Sequence, residues 1–177
     1  MRATSLTVAA LAAALLLTGC DDGSDAADAD SGKESKAASA CADQLAVQFG
    51  PANAAPAAGD TGNVPVTVTN RGGATCVLDG LPGVELDAGS AVTTVAPDEA
   101  AVTKKTTLAK EASTSFTLTY VRGEGGGTKS LAVKSVKISL PGAAEPHSFK
   151  WSYGDIALKS DGQTPEASVT GFQQSGD

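Results

Sequence analysis

The chain is poor in the side chains on which most enzymes and metal sites depend. Its 177 residues include one histidine, His147, and one methionine, the initiator. A Ser–His–Asp triad or a zinc hydrolase would have to use His147, because imidazole is the usual base and metal ligand in such sites. That residue follows Glu145-Pro146 in a turn-like stretch and is expected to be exposed. No Gly-x-Ser-x-Gly motif occurs either, so the sequence predicts a protein that is not an enzyme and holds no cofactor or metal.

Aromatic side chains are also few, and their distribution divides the chain into two parts. There are seven in all, and none precedes Phe49. Residues 21–40 read DDGSDAADADSGKESKAASA, a stretch too polar to bury a core, which predicts a disordered, acidic and flexible linker. The five aspartates in it lack the alternating spacing and the terminal glutamate of an EF-hand loop, so they indicate a solvated run of charge rather than a calcium site.

Basic residues are outnumbered, at 13 against 20 acidic ones. Removal of residues 1–19 takes away only Arg2 among the charged side chains, which leaves 12 basic against 20 acidic residues and a net charge of −8. An acidic chain of this kind argues against nucleic acid as a partner and against electrostatic docking on anionic lipid.

No apolar run is long enough to cross a bilayer. The run from Leu6 to Leu17 follows the positive Arg2 and is shorter than the roughly 20 residues that a membrane-spanning helix needs. It ends at Leu17-Thr18-Gly19-Cys20, where a small residue precedes a cysteine, as in a bacterial lipobox. The sequence therefore predicts a lipoprotein signal peptide over residues 1–19, with a lipid on Cys20 that holds the protein on the extracytoplasmic face of the cell membrane. An ordinary secreted protein with Cys20 in a disulfide is the alternative.

Only three cysteines are present. With Cys20 assigned to lipid, Cys41 and Cys76 remain in an oxidising compartment, where a disulfide between them is the economical outcome. The alternative is that Cys41 pairs between two molecules while Cys76 stays a buried free thiol.

The remaining residues, 41–177, have the size of one domain and the pattern of β-strands. Apolar and polar residues alternate with period two in windows rich in Val, Thr and aromatics, which predicts half-buried strands. The clearest windows are 64–69, 116–121, 136–140 and 149–153. Clusters of Gly, Pro and Asn separate them, so an antiparallel β-sandwich or barrel is expected. A change of phase near Ser135 predicts a bulge or a kink, and the residues from about 160 are expected to be irregular.

Two segments of this domain allow a second interpretation. The glycine-rich stretch Gly123–Ser130 is similar to a phosphate-binding P-loop, but it lacks the glycine before the lysine and strand-like sequence flanks it, which favours a hairpin loop. Phe149, Trp151 and Tyr153 could form a carbohydrate-stacking platform, although three aromatics on one strand face more often pack in a core.

Residues Val64–Leu86, with Cys76 between two strand-like runs, resemble an actinobacterial family of exported domains, the domain of unknown function 4232. Members of that family share a strand ending in Asn, then Cys-x-Leu-x-Gly, then Pro-Gly-Val, often behind a lipobox. Leu108–Leu118 and Val136–Gly142 are similar to later elements of the same family. The resemblance covers roughly residues 41–158 and implies an exported, immunoglobulin-like antiparallel β-sandwich with no established activity.

Together these features predict a lipoprotein of the cell envelope with three parts: a signal peptide (1–19), a lipidated linker (20–40) and a single β-sandwich domain (41–177). The expected role is that of a binding or interaction module outside the cytoplasmic membrane. Its partners would be the membrane, through the lipid on Cys20, and an envelope protein or glycan, but not nucleic acid. A cell-wall hydrolase and a purely structural envelope component are the alternatives.

Overall fold

The computed structural model describes residues 41–53 and 55–174. The predicted signal peptide, Cys20 and the linker lie outside these residues. Within the described ranges, no helix combines the length and the hydropathy needed to cross a membrane. The described strands are β1 Leu45–Phe49, β2 Thr61–Asn70, β3 Cys76–Gly80, β4 Gly83–Asp87, β5 Val92–Thr94, β6 Ala96–Pro97, β7 Lys104–Leu108, β8 Ser113–Val121, β9 Ser130–Leu131, β10 Ser135–Ser139, β11 His147–Lys150, β12 Ile156–Ala157, β13 Ala167–Val169 and β14 Gln173–Gln174.

The first layer is a sheet built on the long antiparallel pair β2 and β8. These strands align from Thr61 opposite Val121 to Thr69 opposite Ser113. The sheet order is β1-β2-β8-β13-β6, β14 pairs with the start of β8, and the β13–β6 pairing is parallel while the others are antiparallel. Alternate residues of β2 and β8 point into the core, as the period-two pattern of the sequence predicts.

The second layer contains the antiparallel sheet β11-β10-β4-β5, and two further strand pairs, β3–β7 and β9–β12, complete the domain. Buried side chains of the two layers form one continuous core. The fully buried members include Val66 and Leu118 from the first layer and Val84, Leu86 and Ile138 from the second. The predicted all-β, antiparallel sandwich is therefore confirmed.

The disulfide between Cys41 and Cys76 joins the start of the domain to the start of β3. The two Cα atoms lie 5.5 Å apart, across 35 residues of sequence, so the predicted intramolecular pairing is confirmed. Asn70, itself buried, fastens the loop before Cys76, because its side-chain amide donates to the carbonyl oxygens of Ala74 and Leu108 at 2.8 and 2.9 Å.

The structure differs from the sequence-based expectations in the second half of the domain. The predicted aromatic strand ends at Lys150; the Trp151 amide still donates to the carbonyl of Lys134, next to the start of β10, and the chain then leaves the sheet. His147 lies on β11 opposite Ile138 and is half-buried, so its placement in an exposed turn is wrong. The residues beside His147 in the sequence do not indicate that this segment pairs with β10.

Two other expectations concern the regularity of strands. The bulge or kink predicted near Ser135 corresponds to an interruption between β9 and β10, where the Val133 amide donates to the Leu131 carbonyl. The residues from about 160 are not irregular throughout, because β13 and β14 both pair with β8. These strands have only three and two residues, too few to show a period-two pattern.

Two buried threonines offer a matched test of hydrogen bonding in the core. Among the described residues, the Thr106 hydroxyl is buried without a hydrogen-bond partner, whereas the Thr114 hydroxyl donates to the Gln173 carbonyl at 2.7 Å. We expect Thr106→Val to raise the free energy of unfolding by about 1 kcal/mol and Thr114→Val to lower it by about 1 kcal/mol. Urea denaturation of both variants would measure this, and destabilisation by Thr106→Val would show that its hydroxyl has a partner.

Candidate binding site

A cavity of about 630 Å³ lies beside the glycine-rich segment. Its walls come from Gly59 before β2, from Arg122 at the end of β8, from the segment 123–130, and from Leu158 and Glu166. This volume falls in the range of small-molecule sites, about 300–1,000 Å³.

The cavity and the disulfide lie at opposite ends of the sandwich. At one end, the tether pole, Cys41 precedes β1, whose first residue pairs with Asn70 at the end of β2. At the other end, the distal pole, Gly59 donates its amide to the Arg122 carbonyl and Thr61 pairs with Val121. Between the poles β2 runs for ten residues, about 33 Å at roughly 3.3 Å per residue. The polypeptide that links the domain to Cys20 therefore enters at the end away from the cavity.

The glycine-rich segment forms a turn at the distal pole. Gly127 donates its amide to the Glu124 carbonyl at 3.4 Å, and Gly126 donates to Asp155 Oδ2 at 3.2 Å. Gly123 is buried, and a Cβ at that position would collide with the Ser130 side chain. The segment leads into strand β9 rather than into a helix, so it does not have the helix N-terminus on which a P-loop depends. This agrees with the loop predicted from the sequence.

Arg122 is the half-buried cation of the cavity wall. Its Nη1 donates to the carbonyl oxygens of Ala55 at 2.7 Å and Pro56 at 3.0 Å, which holds the planar guanidinium in one orientation. Both of its side-chain hydrogen bonds within the described residues come from Nη1. Nε and Nη2 therefore retain their donor capacity.

Gly154 lies against the edge of the Arg122 guanidinium that carries Nε and Nη2. A Cβ at Gly154 would be 3.1 Å from Nε and 3.6 Å from Nη2 of Arg122. The backbone of Gly154 has φ +85°, and its carbonyl accepts a hydrogen bond from Trp151 Nε1 at 2.5 Å. The single tryptophan of the chain thus helps to position the glycine whose backbone lies beside this edge of Arg122.

Tyr120 packs behind this arrangement in the core. Burial raises the pKa of Tyr120 above its usual value, while the positive charge of Arg122 acts in the opposite direction. The phenol is consequently neutral at physiological pH, and it supplies no counter-charge to the guanidinium.

Phe149, Trp151 and Tyr153 belong to a larger aromatic cluster that packs between the layers of the sandwich. Trp151 is buried and meets the rings of Tyr120 and Tyr153 edge-on, each with a centroid distance of 5.0 Å. Phe149 stacks on Phe49 at 5.4 Å, and both rings are half-buried between the edge strands β11 and β1. Core packing, the interpretation favoured by the sequence, is therefore confirmed for Trp151. No aromatic residue contributes to the described cavity wall.

Side chains of both charges border the cavity. Arg122 and Lys129 carry positive charge, and Glu124 and Glu166 carry negative charge. Ion pairs in the described part of the chain involve other residues, Lys105 with Asp79 and Lys137 with Asp87, so these four charges are not paired with one another. On the neighbouring loop, hydrogen bonds from the hydroxyl and amide of Thr164, and from the amide of Gln163, lower the pKa of the exposed Asp161 to about 2.

Among residues 41–53 and 55–174, no group of three or more His, Cys, Asp or Glu side chains is arranged to hold a metal ion. His147 lies on β11 and does not contribute to the cavity wall. The predicted lipidation site, Cys20, lies outside the described residues.

Sequence reasoning missed Arg122 and Gly154 as site residues. The available signal was a lone arginine between a strand-like run and a glycine-rich segment. Nothing in the local sequence indicated that Gly154, 32 positions later, would lie against it.

A family model for a domain of unknown function (DUF4232) matches residues 41–173. The chain belongs to this family. The match begins at the disulfide-bonded Cys41 and extends into β14, so the DUF4232 domain contains both the tether pole and the distal pole. The resemblance noted from the sequence is thereby confirmed for the domain. No curated protein matches the chain.

Proposed function

We propose that this protein is a lipoprotein of the cell envelope that presents a small-molecule binding site at the distal pole of its DUF4232 domain. The single observation that carries the proposal is the placement of the cavity about one full strand length from the residue where the linker enters. A site at that end lies at the pole opposite the point where the tether to Cys20 enters the domain.

The linker supports this arrangement by its length and composition. Residues 21–40 provide 20 positions between the predicted lipid anchor and the domain. The acidic linker and the acidic domain have little electrostatic attraction for anionic lipid, so attachment depends on the lipid. A diacylglycerol on Cys20 supplies the two chains that stable anchoring requires.

Binding is favoured over hydrolysis by the state of the acidic side chains at the cavity. Glu124 and Glu166 are exposed, and neither carboxylate makes a side-chain hydrogen bond or an ion pair with another described residue. A catalytic acid–base pair needs both groups held in hydrogen-bond reach of the substrate. The guanidinium of Arg122, in contrast, is fixed in one orientation by hydrogen bonds to two carbonyl oxygens, and a fixed orientation is what a ligand-binding group requires.

The anchoring part of the proposal predicts a large effect of Cys20→Ala. The wild-type protein is expected to enter the detergent phase on phase separation and to show the mass of a lipid on Cys20. The variant is expected to lack this mass and to accumulate as unprocessed precursor or in the aqueous phase. Thr18→Ala is the matched control, because it keeps a small residue in the lipobox and leaves Cys20 available. A wild-type protein found in the aqueous phase without lipid would refute the anchor.

A further inference from the structure

The unusual feature of the distal pole is a half-buried positive charge without an acidic partner. Charged groups that leave water are ordinarily paired, because desolvation penalises an isolated charge. Arg122 is held only by neutral carbonyl oxygens, and no carboxylate of the described residues lies within ion-pair distance of it. An anionic group of a ligand would supply the missing partner.

The geometry around Arg122 specifies what kind of anionic group fits. With Nη1 occupied, Nε and Nη2 form the edge that can donate two parallel hydrogen bonds, which is the arrangement that guanidinium uses with carboxylate or phosphate. Gly154 has no side chain over that edge, and a methyl group there would lie within 3.6 Å of both nitrogens. An alanine side chain at position 154 would therefore interfere with two-point binding at Arg122.

The other charges of the cavity favour a carboxylate over a phosphate. Besides Arg122, the cavity is bordered by one cation, Lys129, and two anions, Glu124 and Glu166, and the excess of negative charge among these three repels a dianion more strongly than a monoanion. The same two carboxylates attract a cationic group, so a ligand with one negative and one positive end matches the cavity. The described wall contains no aromatic ring and only Val121 and Leu158 as large apolar residues, which does not suit a lipid chain.

We infer that the distal cavity takes a small zwitterionic ligand of the amino-acid or short-peptide class, with its free carboxylate on Arg122 and its ammonium group toward Glu124 and Glu166. This inference rests on the proposed binding role of the same cavity and adds the chemistry of the ligand.

The first test compares defined probes on the full mature lipoprotein in detergent by isothermal titration calorimetry. L-Alanyl-L-alanine is expected to bind, and amidation of its carboxyl group is expected to weaken binding by about tenfold or more, because a charge-assisted pair is lost. N-acetylation is expected to weaken binding less. Inorganic phosphate is expected to bind more weakly than the dipeptide. Equal affinity for the amide, tighter binding of phosphate, or no binding of the dipeptide at millimolar concentration would overturn the inference.

The second test maps the site with two glycine variants that carry the same kind of backbone strain. Gly154 and Gly162 have φ +85° and +69°, so alanine is strained at both positions. Only at position 154 would the new methyl group meet Arg122, since a Cβ at Gly162 meets nothing within 4 Å. Gly154→Ala is expected to weaken dipeptide binding by about tenfold or more, while Gly162→Ala leaves it unchanged. Equal affinity in the two variants would contradict the assignment of Arg122.

Arg122→Lys provides a variant independent of backbone strain. Lysine keeps the positive charge but not the planar fork, so dipeptide binding is expected to fall while the intact disulfide and the thermal transition report a folded domain. Unchanged affinity in this variant would also contradict the inference. These outcomes are separate from the anchoring test, because detergent partitioning depends on Cys20 and not on the cavity.

Discussion

Removal of the Cys41–Cys76 disulfide is expected to lower the free energy of unfolding by about 4 kcal/mol. The bridge closes a loop with 35 residues of sequence separation, and in the chain-entropy model a loop of this size restricts the unfolded chain by about that amount. A small domain has a total stability of about 5–15 kcal/mol, so the loss is a large part of the whole. The melting temperature of Cys41→Ala/Cys76→Ala is expected to fall by roughly 10–15 °C.

Calorimetry or circular dichroism of the wild-type and double-variant proteins, with and without reductant, measures this effect. Reductant is expected to destabilise the wild type only, because the double variant has no bridge to open. Intact mass after alkylation of the native protein provides an independent check. Two alkylated thiols at Cys41 and Cys76, or a melting temperature that is the same in the double variant, would contradict the stabilising role of the bridge.

Truncation of Trp151 is expected to lower the free energy of unfolding by about 3–5 kcal/mol. The side chain is 5% exposed and packs edge-on against Tyr120 and Tyr153. Trp151→Ala leaves a cavity at the centre of this cluster and removes the donor to the Gly154 carbonyl. Because that bond helps to position Gly154, the variant is also expected to lose dipeptide binding at Arg122.

Two further variants separate packing from hydrogen bonding at this position. Trp151→Phe keeps a ring but leaves the Gly154 carbonyl without its donor, so we expect a loss of about 1–3 kcal/mol. Ser152→Ala, at the exposed neighbouring position, is expected to change stability by no more than about 0.5 kcal/mol. Urea denaturation followed by circular dichroism gives all three values. A loss near zero for Trp151→Ala would instead indicate an exposed platform of the kind that stacks on carbohydrate.

The sequence alone predicted the long strands of the domain because their side chains alternate over many residues. In β2 and β8, every second residue is buried, and a window of six residues was enough to reveal that period. It also predicted the Cys41–Cys76 pair, because two cysteines remained once Cys20 was assigned to lipid. Strands of two or three residues, such as β13 and β14, have no measurable period and were missed.

The candidate site could not be predicted from local patterns, because its residues are distant in sequence and come together only when the sandwich forms. Arg122 directly follows β8, its carbonyl partners Ala55 and Pro56 precede β2, and Gly154 follows the aromatic segment. No local pattern relates these positions, because the contacts depend on the pairing of β2 with β8 and on the packing of Trp151. The sequence by itself predicted the fold class and the cysteine pairing, which the structure confirms, and a lipid anchor, which stays a prediction; all three follow from local periodicity, composition or a short motif. The tertiary structure alone decided that a half-buried guanidinium lies at the pole opposite Cys41, because that position is set by strand register and strand length.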